Sequence, residues 1–74
     1  MRTADISYHI HSHLSERDCA KLEHILRSHT GVQLAHFCDG SKHALTVEYD
    51  VETTNSMLLL SRIRMLDKQA CILG

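Results

Sequence analysis

Along this chain the hydrophobic period switches between two and about 3.6 residues, and the order of the switches leaves few folds open. From Asp5 to His13 apolar and polar residues alternate, with Ile6, Tyr8 and Ile10 on one side and Ser7, His9, His11 and His13 on the other. That is the pattern of a half-buried strand. Ser15 then stands three residues before Asp18, the spacing at which a hydroxyl caps the exposed N–H groups of a helix. Cys19, Leu22, Ile25, Leu26 and His29 follow at helical spacing. Gly31 is placed to end that helix, because glycine turns left-handed without a Cβ penalty.

The second half repeats the logic with a hairpin inserted. Val32 to Cys38 reads as a strand, Asp39-Gly40-Ser41-Lys42 as a turn, and His43 to Asp50 as a third strand with Leu45, Val47 and Tyr49 on one face. Thr53, Thr54, Asn55 and Ser56 offer several caps for a second helix, whose stripe is Leu59, Leu60, Ile63 and Leu66. Gln69 to Leu73 makes a short last strand. The order strand, helix, strand, strand, helix, strand lets both helices bury their stripes on one face of a four-stranded antiparallel sheet. The expectation is an α+β, ferredoxin-like βαββαβ sandwich forming a single domain over residues 1–74.

The bulk numbers exclude several classes of function. A hydrophobic content of 43% is too high for a disordered tail. A net charge of −1 draws the chain neither to phosphate backbones nor to anionic membranes. Tyr8, Phe37 and Tyr49 are the only aromatics, too few for a base-stacking platform, so nucleic acid is not an expected partner. The longest apolar run, Met57 to Leu60, is far too short to span a bilayer, and no secretory leader precedes the first strand. Cys19, Cys38 and Cys71 include no Cys-x-x-Cys pair and make no disulfide framework. A reducing, cytoplasmic setting is expected. No Gly-rich phosphate loop is present, and two short helices on a small sheet rarely form a catalytic pocket, so no enzyme activity is expected.

Several of these residues, at these spacings, resemble the heavy-metal-associated domain of small copper chaperones and metal-pumping ATPases. Gly31-Val32 is similar to that family's Gly-Val at the start of strand two, and Val47-Glu48-Tyr49-Asp50 to its Val-x-Tyr-Asp at the end of strand three. Asn55 and Ser56, then Leu59, Ile63 and Leu66, look like its second helix, and Ala70 like the small residue of its last strand. The resemblance covers nearly the whole chain but breaks at the family's Met-x-Cys-x-x-Cys signature. Counted back from Gly31 without gaps, the Met position falls on His13 and the two thiolate positions on Ser15 and Asp18. Cys19 then takes a position that is apolar and core-facing in the family. A one-residue deletion in the helix would instead put Glu16 and Cys19 at the ligand positions.

Seven histidines qualify the loss of the thiolates. Alternate residues of a strand lie about 6.5–7 Å apart on one face, a gap that imidazole rings can close around an ion. His11, His13 and Cys19 are therefore the candidate metal ligands at the end of strand one. A histidine-rich set shifts preference from Cu(I) towards zinc, Cu(II) or nickel. The bland alternatives are that both histidines decorate the solvent face of the sheet and that Cys19 is a small core hydrophobe. A second candidate lies on the open sheet face, where His9 and His11 would neighbour Glu48 and Thr46 on one side and Cys71 on the other. His36 and Cys38 join that face if a bulge near Gln33 or Leu34 keeps the phase.

His24, His29 and His43 have no spacing that joins them to another ligand and read as surface histidines. Arg62, Arg64 and Lys68 complement the dipole of the second helix. The resulting expectation is a small metal-binding chaperone, sensor or transfer module. Its partners would be a metal-transporting ATPase, a transporter or another metalloprotein. The alternative is an interaction module that kept the fold and lost the metal, pairing as a homodimer through its sheet face or edge.

Overall fold

A computed structural model describes residues 2–11, 14–37 and 43–73. The elements run β1 (Thr3–His9), α1 (Glu16–Arg27), β2 (Val32–Phe37), β3 (Ala44–Asp50), α2 (Ser56–Ile63) and β4 (Cys71–Ile72). The four strands form one sheet in the order β2-β3-β1-β4, and every neighbouring pair is antiparallel. The α+β class and the alternation of elements are as expected.

Alternation places Tyr8 of β1, Leu45, Val47 and Tyr49 of β3, and Ala35 of β2 on one buried face. Leu22 and Leu26 of α1 and Leu59, Leu60 and Ile63 of α2 join the same core, so both helices cover that face. Tyr8 is fully buried, and its hydroxyl donates to the Ser56 carbonyl at 2.9 Å, tying β1 to the first turn of α2. α1 is also fastened to the edge strand. Glu23 accepts the Phe37 N–H at 2.9 Å, and Arg27 Nε donates to the Ala35 carbonyl at 3.1 Å.

The N-caps fall where the sequence places them. Ser15 Oγ accepts the Asp18 N–H at 3.1 Å, and among the offered caps of α2 it is Asn55 that accepts the Leu58 N–H, at 3.0 Å. α1 ends at Arg27 with Ser28 as its C-cap, three residues before the Gly31 expected to end it, although Gly31 does take a positive φ of 97° on the way into β2. The register shift between Val32 and Leu34 is the expected bulge.

Two strands differ from expectation. β1 starts and ends earlier, because its ladder with β3 runs from Thr3 opposite Asp50 to His9 opposite Ala44. Beyond it, the Ile10 N–H still reaches the His43 carbonyl at 2.8 Å, but the His11 N–H turns away to the Asp67 carboxylate. β4 is shorter because Asp67 organises a turn ahead of it, with Oδ1 accepting from Gln69 N–H and its carbonyl from Ala70 N–H. Among the described residues no helix is long and apolar enough to cross a membrane.

Candidate functional site

The end of the sheet where β1 hands over to α1 gathers three imidazoles. His9 is the last residue of β1 and lies on the face away from the helices, between Ala44 of β3 and Cys71 of β4. His11 follows on the same side of the strand period. His43 lies one pair beyond His9 and Ala44 in the same register, immediately before β3. The His9 and His11 ring centres are 6.0 Å apart and those of His9 and His43 6.2 Å apart, so His9 sits between the other two.

Each ring has its own anchor. His43 Nδ1 lies 2.7 Å from the Ile10 carbonyl oxygen. A carbonyl only accepts, so Nδ1 carries a hydrogen. The planes of His43 and His9 are 23° apart, a stacked arrangement, whereas His9 and His11 meet edge to face at 65°. His11 is exposed, but its backbone is held by Asp67 Oδ2, which accepts its N–H at 2.6 Å. Asp67 is only 1% exposed, and its two oxygens accept from backbone N–H groups of His11 and Gln69. A buried carboxylate is tolerable where it is hydrogen-bonded in this way.

The three candidate ligands fare differently. His11 is at the site. His13 lies outside the described residues, as does Cys38. Cys19 is half-buried in the first turn of α1, on the same helical stripe as the buried Leu22 and Leu26. On the open face, Cys71 does stand opposite His9. Glu48 and Thr46, expected as neighbours of His9 and His11, are instead opposite Asp5 and Ser7. The register differs, though the face does not, because the β1 ladder is set towards Thr3. His36 is opposite Thr46 across the bulged β2–β3 pair and so shares that face.

Two of the supposed surface histidines are also engaged. His43 belongs to the cluster, and His29 Nε2 lies 3.0 Å from the Thr54 hydroxyl, linking the end of α1 to the approach of α2. Spacing along the chain could not reveal His43, which is far from His9 in sequence. Continuing the His9–Ala44 register by one step sets His43 against Ile10, which brings its backbone beside β1. Asp67 had no comparable signal, since a carboxylate after a helix ordinarily reads as a solvated turn residue.

Among the described residues no set of three or more His, Cys, Asp and Glu side chains is already arranged to hold a metal ion. The chemistry of the imidazoles nevertheless fits a late transition ion, for which neutral imidazole is a common ligand. No model of a known protein family matches the chain, and no curated protein matches it.

Proposed function

We propose that this chain binds a late transition metal ion reversibly, at the end of the sheet where β1 leads into α1. The observation that carries the reading is the gathering of His9, His11 and His43, with ring centres 6.0 and 6.2 Å apart. His11 and His13 act as ligands from this loop, with the Cys19 thiolate as a further donor from the first turn of α1. Zinc, copper or nickel is the cargo. The order β2-β3-β1-β4 supports reading the architecture as a ferredoxin-like sandwich. That architecture, with Gly31 at a positive φ and Asn55 capping α2, supports the likeness to heavy-metal-associated domains. A metal-transporting ATPase, a transporter or another metalloprotein would then dock near this loop in a cytoplasmic setting.

A second reading is favoured by one observation. Ser15 and Asp18, which stand at the thiolate positions in the ungapped register, are used as a helix cap. A module that had exchanged its metal for a firm helix start, and now serves as an interaction or dimerisation domain, would look like this.

Titration with Zn(II), Cu(I) and Ni(II) under reducing conditions separates the two. The metal reading expects stoichiometric binding tighter than micromolar for at least one ion. If none binds so tightly, the reading fails and the interaction module stands. Sedimentation at increasing concentration then reads the dimer directly.

A further inference from the structure

The open face of the sheet, away from both helices, carries a charge conflict that the chain itself leaves standing. β1 and β3 set Asp5 directly opposite Glu48. Both lie on the open face because Ile6, Tyr8, Val47 and Tyr49 take the inner one. Like charges directly opposite each other on a sheet face have Cβ atoms about 4.5–5.5 Å apart and repel. Among the described residues neither carboxylate has a hydrogen bond or an ion pair, and the salt bridge that is present joins Arg27 to Glu23 on α1. Further along β1 on the same face stands His9, with the exposed His11 beside it.

Resting on the interaction-module reading above, we propose that a second copy of this chain packs on the open face with its strands reversed, so that the Asp5 and Glu48 end of each copy meets the His9 and His11 end of the other.

The register carries this. Ser7 lies midway between Asp5 and His9, and Thr46 stands opposite Ser7 on β3. A twofold axis between two facing sheets, crossing the strands at Ser7, reverses the strand direction of the second copy. It lays Asp5 of one copy over His9 of the other, and by symmetry does so twice. An imidazole N–H donates to a carboxylate in either protonation state, and the imidazolium adds a charge of the right sign. Packing with the strands parallel would instead lay Asp5 and Glu48 over their own copies, and that repulsion selects against it. The residues at the axis suit close approach. Ser7 and Thr46 are short, and Ala44 follows them on the same face, so two such sheets can reach the spacing of about 10 Å at which sheets pack.

The size of the face sets the strength. Four strands about 4.8 Å apart, with a β1 of 7 residues, present roughly 400 Å² per copy. That is about half of what each partner gives to a standard interface, so the dimer is weak and reversible.

The test is sedimentation of the full chain, of Asp5→Lys and of His9→Glu, each alone, and then of the two variants mixed. The native chain is expected to dimerise as its concentration rises, with the NMR signals of Ser7 and Thr46 shifting in step. Each variant alone sets like charges together and should lose at least about tenfold in dimer affinity. In the mixture the new lysine meets the new glutamate, while the remaining native Asp5 and His9 pair as before. Association should therefore return, which also shows that both variants are folded. If the native chain dimerises but its Ser7 and Thr46 signals stay in place, the face is wrong and the dimerisation reading stands. Mixed variants that stay apart while each keeps a native spectrum lead to the same conclusion. If the native chain remains a monomer up to millimolar concentration, the face and the dimerisation reading fall together. The native signals decide the question even if a variant folds poorly.

Discussion

His43 and Ile10 are joined by two hydrogen bonds that run in opposite directions. The His43 ring donates from Nδ1 to the Ile10 carbonyl at 2.7 Å, and the Ile10 N–H donates to the His43 carbonyl at 2.8 Å. Ile10 itself is fully buried, so the pair fastens the core residue that follows β1 to the residue that precedes β3. His43→Ala removes the ring bond and should cost about 1 kcal/mol. In a domain of this size that lowers the melting temperature by about 4–8 °C. Thermal melts of both proteins check this.

Tyr8 makes the stability sensitive to alkali. Burial pushes its phenol well above the ordinary range, with the nearby Tyr49 adding to the shift. A raised folded value means the fold favours the neutral phenol. The stabilisation is therefore fully present below the unfolded value of about 10 and is lost as pH climbs above it towards the folded value. Tyr8→Phe should remove most of that alkaline loss. It should also cost about 1–2 kcal/mol at neutral pH, because the Ser56 carbonyl loses its donor. Urea melts from neutral to alkaline pH, with phenolate absorbance alongside, read both effects.

Asp50 acts at the opposite end of the pH scale. The Glu52 N–H at 3.0 Å and the Thr53 hydroxyl at 2.8 Å, in that order of effect, hold its carboxyl below the usual range. A depressed folded value means the stabilisation is present above the unfolded value of about 3.9 and lost as pH falls through the folded one. Asp50→Asn should flatten the acid limb of a stability–pH profile while leaving the alkaline limb as it was. An unchanged acid limb would count against this role.

How much of this was legible in the sequence depends on the range of the interaction. Ser15, Asn55 and Gly31 act within three or four residues of their own position, and the chain announces all three. The bulge after Val32 was legible for the same kind of reason, since the inward face must keep its phase between Val32 and Ala35. The end of β1 was not, because where it stops is decided by the length of β3. Nor was the imidazole cluster. His9 and His11 stand together in sequence, but His43 reaches them only through strand register, and His11 is held by a carboxylate from beyond α2. Periodicity reports which face a residue takes and nothing of what meets it there.

Gly31 carries a constraint in two senses. Its φ of 97° is one that residues with a Cβ rarely adopt, and a Cβ there would meet Thr53 Cβ and Cγ2 at 3.0 Å and Thr54 Cγ2 at 3.1 Å. Gly31→Ala should therefore cost about 1–3 kcal/mol. Thr53→Ser in the same chain removes only the Cγ2 contact and keeps the hydroxyl that donates to Asp50, so it should recover a minor part of the loss. Recovery of most of it would show that crowding, rather than backbone conformation, is the larger cost.

Asp67 links the stability of the fold to the position of His11. Its side chain is 1% exposed, comes from the turn after α2, and accepts N–H groups from both His11 and Gln69. Asp67→Ala leaves two backbone donors without that acceptor and should cost about 2–4 kcal/mol, since charge-assisted bonds exceed neutral ones. Asp67→Asn retains a single acceptor oxygen and presents an NH₂ to the other donor, so its cost should fall between wild type and Asp67→Ala. The two variants should also loosen the chain beyond β1. Amide exchange at His11 is expected to accelerate in both, more in Asp67→Ala, while Ser7 and Tyr8 within the β1 ladder stay protected.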